Sequence, residues 1–231
     1  MSTIQEDFDR IALVSEDGAT HNERYQNFLL RHLPSNCHDV VEIGCGTGGF
    51  ARRLAERSER VLALDLSPEM IRLARERSAQ FANIDFQLAD VREWPLPAES
   101  FDCIATIATL HHLPFEETLL KIKTALKPGG VLLVLDLFEA ARISDSVVEG
   151  LFDSLSNLVA IPVSVSLRVL HHGRLLSRRE VRDAWTAHGR HDSYPTMRDV
   201  HALCARILPG AKIKKHLLWR YSIVWKKPGV S

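Results

Sequence analysis

Val40-Val-Glu-Ile-Gly-Cys-Gly-Thr-Gly-Gly49 is the stretch that decides the fold. Asp39 to Ile43 is a short β-branched run that stops at a glycine cluster, the pattern of a buried strand entering a tight turn. Phe50, Leu54 and Arg57 then continue at helical spacing. Glycine lets backbone approach a ligand with no Cβ in the way, and the helix start beyond it offers unpaired N–H groups and a positive dipole end. A carboxylate or a phosphate would be held there. Gly44, Gly46 and Gly49 satisfy the dinucleotide fingerprint GxGxxG, and Asp65 follows about 20 residues on, where an acid would accept both ribose hydroxyls. On these residues alone a nicotinamide-dependent oxidoreductase remains open.

Outward from this stretch, strands and helices alternate. Arg60 to Leu64 reads as a second strand ending at Asp65, and Ser67-Pro68 opens a helix with a capping serine and a proline at its first position. Ile84 to Leu88 is a third strand ending near Asp90, and Phe101 to Thr109 is a fourth, apolar enough for a parallel strand covered on both faces. A helix is expected from about Phe115 to Leu126, then Lys127-Pro-Gly-Gly130, then a fifth strand from Val131 to Leu137. The alternation predicts a doubly wound, mostly parallel α/β sheet.

The flanks differ. Upstream, Tyr25, Phe28, Leu29 and Leu33 share one face of a helix over 21–33 that Pro34 ends. Downstream, 139–195 loses the alternation; apolar helical stretches at Val147 to Val159 and Glu180 to Ala187 predict a helical cap. A helix over 196–207 precedes two strands, Ala211 to Leu217 and Arg220 to Lys226, too close together to be anything but an antiparallel hairpin. The expectation is one domain over 1–231, with an N-terminal helical segment, 1–37, and a cap insertion, 139–195.

Three features separate the two cofactor readings. Glu42 puts an acid inside the first strand, where dinucleotide folds usually carry an apolar residue. Asp90 ends the third strand in Leu88-Ala-Asp-Val91, followed by Trp94-Pro-Leu-Pro97 and Phe101-Asp102. Leu126-Lys-Pro-Gly-Gly130 leads into the fifth strand of a chain that closes on a hairpin. Together these resemble the class I S-adenosylmethionine-dependent methyltransferases, in the branch that modifies small molecules, and the resemblance runs motif by motif over 38–138.

The resemblance implies a seven-stranded sheet of order 3-2-1-4-5-7-6 with the last strand antiparallel, S-adenosylmethionine as cofactor, and methyl transfer by in-line displacement. It also implies roles. Gly44 and Gly46 would bring backbone against the methionine half of the cofactor, and Glu42 would orient that loop. Asp65 would bind the ribose hydroxyls, with Leu66 and Met70 over the adenine. Asp90 would accept from the adenine amine and the Val91 amide would donate to a ring nitrogen. Thr106 and Ile107 would line the sulfonium, and Tyr25, with His21 and Asn22, would belong to a segment folding back over the cofactor. Met70 and Tyr25 read equally well as plain packing. A non-catalytic protein that keeps the fold and binds the cofactor is a further alternative: intact Gly44, Gly46, Asp65 and Asp90 argue against a dead cofactor site, but acceptor chemistry could be lost.

His111-His112 follow the fourth strand, where ligands sit in such sheets, so His111 is the candidate catalytic base. The alternative is that one imidazole bonds a loop backbone group and the other packs. Asp102 reads as structural and Trp94 as a packed aromatic. His188 and His191, with His171 and His172 nearby, lack a ligand-like partner pattern and read as surface or loop residues, so no metal is expected. Arg168, Arg174, Arg178, Arg179 and Arg182 read as a solvated helix face.

A formal charge of zero argues against a nucleic-acid partner. The segment after the fourth strand lacks the Pro-Pro-aromatic motif of DNA amino-methyltransferases, so a small-molecule acceptor is expected. No run approaches the roughly 20 apolar residues that span a bilayer, and the N-terminus has no signal-peptide core. Cys37, Cys45, Cys103 and Cys204 form no CxxC pair. A cytoplasmic protein is expected, and no pattern specifies an oligomeric state.

Overall fold

The computed structural model describes residues 4–14, 23–139, 158, 178–189 and 192–229. The sheet grows outward from β1 (Asp39–Ile43), which pairs in parallel with β2 (Arg60–Asp65) on one side and β4 (Phe101–Ile107) on the other. β3 (Ile84–Leu88) lies beyond β2, and β5 (Leu126–Leu137) lies beyond β4. β7 (Arg220–Lys226) runs antiparallel to β5, and β6 (Lys212–His216) runs antiparallel to β7. The order is β3-β2-β1-β4-β5-β7-β6, as the sequence reading expects.

Both faces are covered, which is why β4 reads as almost continuously apolar. One face joins Val41, Ile43, Ile104, Leu132 and Val134 to α5 (Phe115–Ala125) and to the helix Met197–Ile207 through Leu119, Ile122, Val200 and Cys204. The other joins Val40, Ala63, Cys103, Ala105 and Leu133 to α2 (Glu23–Leu30), α3 (Gly49–Ala55) and α4 (Pro68–Arg77) through Leu29, Phe50, Leu54, Ile71 and Ala74. Each large side chain so buried contributes about 1.5–3 kcal/mol relative to exposure.

Several boundaries move for local reasons. α2 is shorter than the expected 21–33, and 21–22 lie outside the described residues. β4 stops at Ile107, not Thr109, because Ala108 takes a left-handed φ of 52° and the chain turns into a 3-10 segment, Leu110–His112. β5 begins at Leu126, five residues early. Leu126 pairs with Phe101 and Val131 with Cys103, so Lys127 to Gly130 form a bulge in the β4–β5 ladder. A Cβ on Gly130 would lie 2.9 Å from the Lys127 carbonyl and 3.0 Å from that of Phe101, so glycine is required there.

The N-terminal segment holds a helix that the sequence reading did not resolve, α1 (Ile4–Val14). Its Ile11 and Ala12 pack with Met70 of α4 and Ala184 of α6 (Arg179–His188). Of the expected cap, Glu139, Leu158, 178–189 and 192–195 are described. The helix expected from Val147 to Val159 lies outside the described residues except for Leu158, and so do Arg168, His171, His172, Arg174 and His191. α7 (Met197–Ile207) starts at a capping box: Asp199 N donates to Thr196 Oγ1 and Thr196 N donates to Asp199 Oδ2, each at 3.2 Å. Thr196 also bridges to Glu139, and the Glu139 amide donates to the Pro195 carbonyl at 3.0 Å, which ties 192–196 to the end of β5. Among the described residues no helix is long and apolar enough to cross a membrane.

Candidate functional site

The parallel strands end together, and the loops that follow β1, β2 and β4 meet there. Gly44 and Cys45 donate to the Leu64 carbonyl at 2.8 and 2.9 Å, pinning the glycine loop to the end of β2. Gly44 has φ +72°, and a Cβ on it would lie 2.1 Å from Thr109 Oγ1, so the β1 and β4 loops nest only because this residue is glycine. A Cβ on Gly46 would meet nothing within 4 Å, so the loop faces open space there.

Two acids anchor this loop. Asp65 accepts from Gly46 N at 2.7 Å and from Ser67 N at 2.9 Å. Burial pushes its carboxyl above the usual range, and those N–H groups oppose the shift. Glu42 is 1% exposed, and its Oε2 has no hydrogen-bond partner among the described residues. Burial, then the Asp65 charge, raise its carboxyl well above the ordinary value, against Arg52 and the Ala51 N–H. A buried acceptor with no partner calls for a donor.

α1 closes over this end of the sheet. Ser67 caps α4 by accepting from Met70 N at 3.1 Å and donates its own hydroxyl to Asp9 at 2.5 Å. Met70 is buried against α1. The segment that crosses the carboxyl end of β2 is therefore α1, whereas the sequence reading gave that place to the segment holding His21, Asn22 and Tyr25. Tyr25 sits elsewhere. Its hydroxyl donates to the Leu217 carbonyl in the β6–β7 turn at 3.0 Å, and its ring lies 4.8 Å from that of His216.

Beyond β4 and β5 lies a second, polar cluster. The His111 ring nitrogen Nδ1 is 2.6 Å from Asp136 Oδ1, and the His111 amide donates to Asp136 Oδ2 at 3.0 Å. His112 and His188 are both buried, with ring centroids 5.0 Å apart, and Phe8 of α1 packs on each. Burial, then the neighbouring His111 and His188, push the His112 imidazole down to about 3. Asp192 lies 3.6 Å from each of these two histidines and accepts from the Tyr194 hydroxyl at 2.8 Å. The Tyr194 ring is 5.0 Å from that of His111.

The structure brings Glu42, Gly44, Gly46 and Asp65 together at one loop, with Leu66 and Met70 just after β2. Thr106 is buried, with Oγ1 unpartnered among the described residues, and Ile107 packs on the α3 face. Asp90 is held by Arg92, whose Nε donates to it at 2.9 Å; this hydrogen bond keeps its carboxyl below the ordinary value. Val91 is buried and its carbonyl accepts from Lys121 at 2.7 Å. Asp102 is structural, as expected: it accepts from His38 N and Asp39 N at 3.1 and 2.8 Å. Trp94 packs against the core.

His188 corrects the sequence reading. It is 4% exposed, because Ala184 and His188 share the α6 face that packs on α1. Three site residues were missed: Asp136, Asp192 and Asp9. Asp136 had a legible signal, a lone carboxylate in the otherwise apolar Val131–Leu137.

A family model described as a methyltransferase domain matches residues 40–130. An uncharacterized methyltransferase of Mycobacterium tuberculosis is 29% identical over 211 residues, covering 90% of this chain and 96% of that relative. A demethylmenaquinone methyltransferase of Tropheryma whipplei is 33% identical over 105 residues, 45% of this chain and 44% of the relative. Among solved structures, the N-methyltransferase NodS from Bradyrhizobium japonicum, in complex with S-adenosyl-L-homocysteine, has the same fold, with a TM-score of 0.63 at 16% identity over 98% of this chain and 100% of that one. Sheet order, glycine loop and these matches agree: the chain is a methyltransferase enzyme with the fold of the class I S-adenosylmethionine-dependent methyltransferases.

Proposed function

We propose that this enzyme methylates a small-molecule acceptor seated at the carboxyl ends of β4 and β5, with His111 as the catalytic residue. The observation that carries the reading is the buried His111–Asp136 pair at 2.6 Å beside the donor loop. With the ring proton on Nδ1 donated in a hydrogen bond to Asp136, Nε2 keeps a lone pair for the acceptor's proton. A zero formal charge favours a small molecule over a nucleic acid, and four buried, unpaired cysteines accord with a cytoplasmic enzyme.

In this reading the donor is S-adenosylmethionine, and the residues of the glycine loop suit it. The unpartnered Glu42 Oε2 is an acceptor for the cofactor's amine, and the open space at Gly46 leaves room for its amino-acid half beside Gly44. Asp65 keeps acceptor capacity for the ribose hydroxyls, Leu66 and Met70 cover the adenine, and Asp90 and the Val91 amide read its polar edge. Thr106 and Ile107 flank the reacting centre. Tyr25, tied to the hairpin turn, is assigned to the rim of the site. The bound cofactor supplies a methyl on a positively charged sulfur, already activated for displacement. The chain's work is then to align donor and acceptor and exclude water. The cap, 139–195, supplies the acceptor wall, and Tyr194 is its described member beside His111.

The test is a screen of metabolite extracts for compounds that gain one methyl only when enzyme and cofactor are both present. S-adenosylhomocysteine should raise the melting temperature by linkage. Nicotinamide dinucleotides should not; if they do so and S-adenosylhomocysteine does not, the donor assignment is wrong.

A further inference from the structure

The polar cluster beyond β4 has a geometry that hydrogen bonding does not explain. A ring nitrogen of His111, one of His112 and a carboxylate oxygen of Asp192 all lie within 4.8 Å of one another. His112 Nδ1 and Asp192 Oδ1 are 3.6 Å apart, beyond hydrogen-bond distance. Two ligands held at 2.0–2.1 Å on one tetrahedral ion sit about 3.4 Å apart, close to the 3.6 Å of this pair. By contrast, each outer contact is a true hydrogen bond. Asp136 holds His111 Nδ1 at 2.6 Å, and the Tyr194 hydroxyl holds Asp192 Oδ2 at 2.8 Å. Carboxylates and hydroxyls that fix the far side of each ligand are the usual outer shell of a metal centre.

Charge points the same way. The Asp192 side chain is 6% exposed, and among the described residues no lysine or arginine lies within ion-pair distance of it. A buried carboxylate is costly unless it is paired or coordinates a metal, and the groups at ion-pair distance here are the imidazoles of His112 and His188, side chains that themselves serve as metal ligands. The three side chains are all enclosed, at 4%, 8% and 6% exposure for His111, His112 and Asp192.

We propose that His111, His112 and Asp192 bind one divalent transition-metal ion at the carboxyl end of β4. Two imidazoles and one carboxylate suit a borderline ion such as zinc or cobalt, and three protein ligands leave a position open, as catalytic sites do. This rests on the acceptor seat proposed above and names its chemistry: an acceptor with a hydroxyl group. On coordination the hydroxyl loses its proton to solvent, and the bound oxygen keeps the lone pair that takes the methyl. In the loaded protein the His111 lone pair serves the ion; in the metal-free protein it remains the proton acceptor. The ligands escape a search by spacing because two are adjacent and the third arrives from the far end of the cap.

The experiment strips the full chain with a chelator, then titrates Co2+ while recording visible absorption and, by equilibrium dialysis, stoichiometry. One ion per chain with an intense low-coordinate spectrum is expected. Asp192→Asn and His112→Gln should abolish it, while Asp136→Asn should weaken affinity about 10- to 100-fold. Stabilisation by S-adenosylhomocysteine, measured on every variant, shows that each is folded. No cobalt bound by the wild type, or equal binding by the folded Asp192→Asn and His112→Gln variants, overturns the site. Failure of the wild type to bind S-adenosylhomocysteine would instead sink the donor assignment, and the cobalt result would stand apart from it.

Discussion

At the residue scale, Glu42 is a buried acid with an unpartnered oxygen, Oε2, among the described residues. Burial, then the Asp65 charge, push its carboxyl well above the ordinary range and so disfavour its ionised form in the cofactor-free protein. A cationic amine arriving at Oε2 favours the ionised form and lowers that value. Binding of S-adenosylhomocysteine near neutral pH should therefore release a proton. Calorimetry in two buffers of different ionisation heat reads this directly, and Glu42→Gln should remove the difference and weaken binding by about 1–3 kcal/mol. Identical heats in both buffers for the wild type would remove Glu42 from the cofactor's amine. Tyr194 makes the complementary case. Tyr194→Ala removes a ring beside His111 without touching the glycine loop. Acceptor turnover should fall while S-adenosylhomocysteine affinity stays near its original value; the reverse pattern would move Tyr194 into the donor site.

At the element scale, a charged tie holds the amino ends of the central strands. Asp102 of β4 accepts from two backbone amides at the start of β1 and pairs with Lys127 of the β5 bulge at 3.0 Å. Burial raises its carboxyl, but the amides and Lys127 outweigh this and leave it below the ordinary value. A depressed folded value means that the tie contributes fully above the unfolded value near pH 3.9 and is lost as pH falls through the folded one. Asp102→Asn should lower stability at neutral pH by about 1–2 kcal/mol. That deficit should shrink as pH drops below about 4. A deficit that does not change with pH, in melts across that range, would show that the charge is not what matters. Arg60 and Asp39 extend the same tie, and Asp39 is shifted in the same direction, so acid should loosen this end of the sheet as a unit.

At the scale of the whole molecule, α1 is the helix that, among the described residues, touches both halves of the site. Asp9 meets Ser67 beside the donor loop, and Phe8 packs on His112 and His188 beside the acceptor seat. Closure over one half is thus closure over the other, as in covers that exclude water on binding. Hydrogen exchange across 4–14 should slow when S-adenosylhomocysteine is added, and Asp9→Ala should speed it and weaken the ligand's effect. Exchange in α1 that ignores the ligand would mean a permanent wall instead of a cover.

The sheet and the donor loop were legible because their signals are local. Glycines after a β-branched run, an acid at the end of the next strand and an apolar fourth strand each declare themselves within a few residues, and their order fixes the topology. Asp65 and Glu42 were legible for that reason, and Asp102 was placed correctly at the wrong end of its strand for chemistry. The acceptor side was not, because its polar groups come from four separate places in the chain. His111 and His112 sit on a turn, Asp136 at a strand end, His188 at the end of a helix, and Asp192 in a segment that the Thr196 cap and the Glu139 bridge pull back over β5. α1 escaped notice because its few apolar positions become a face only when α4 and α6 are there to receive them. Sequence alone determined the sheet order and the place of the glycine loop, since both are written in neighbouring residues. Only the tertiary structure decided which buried polar groups face one another, because burial, and the partner that makes it tolerable, are properties of packing between distant segments.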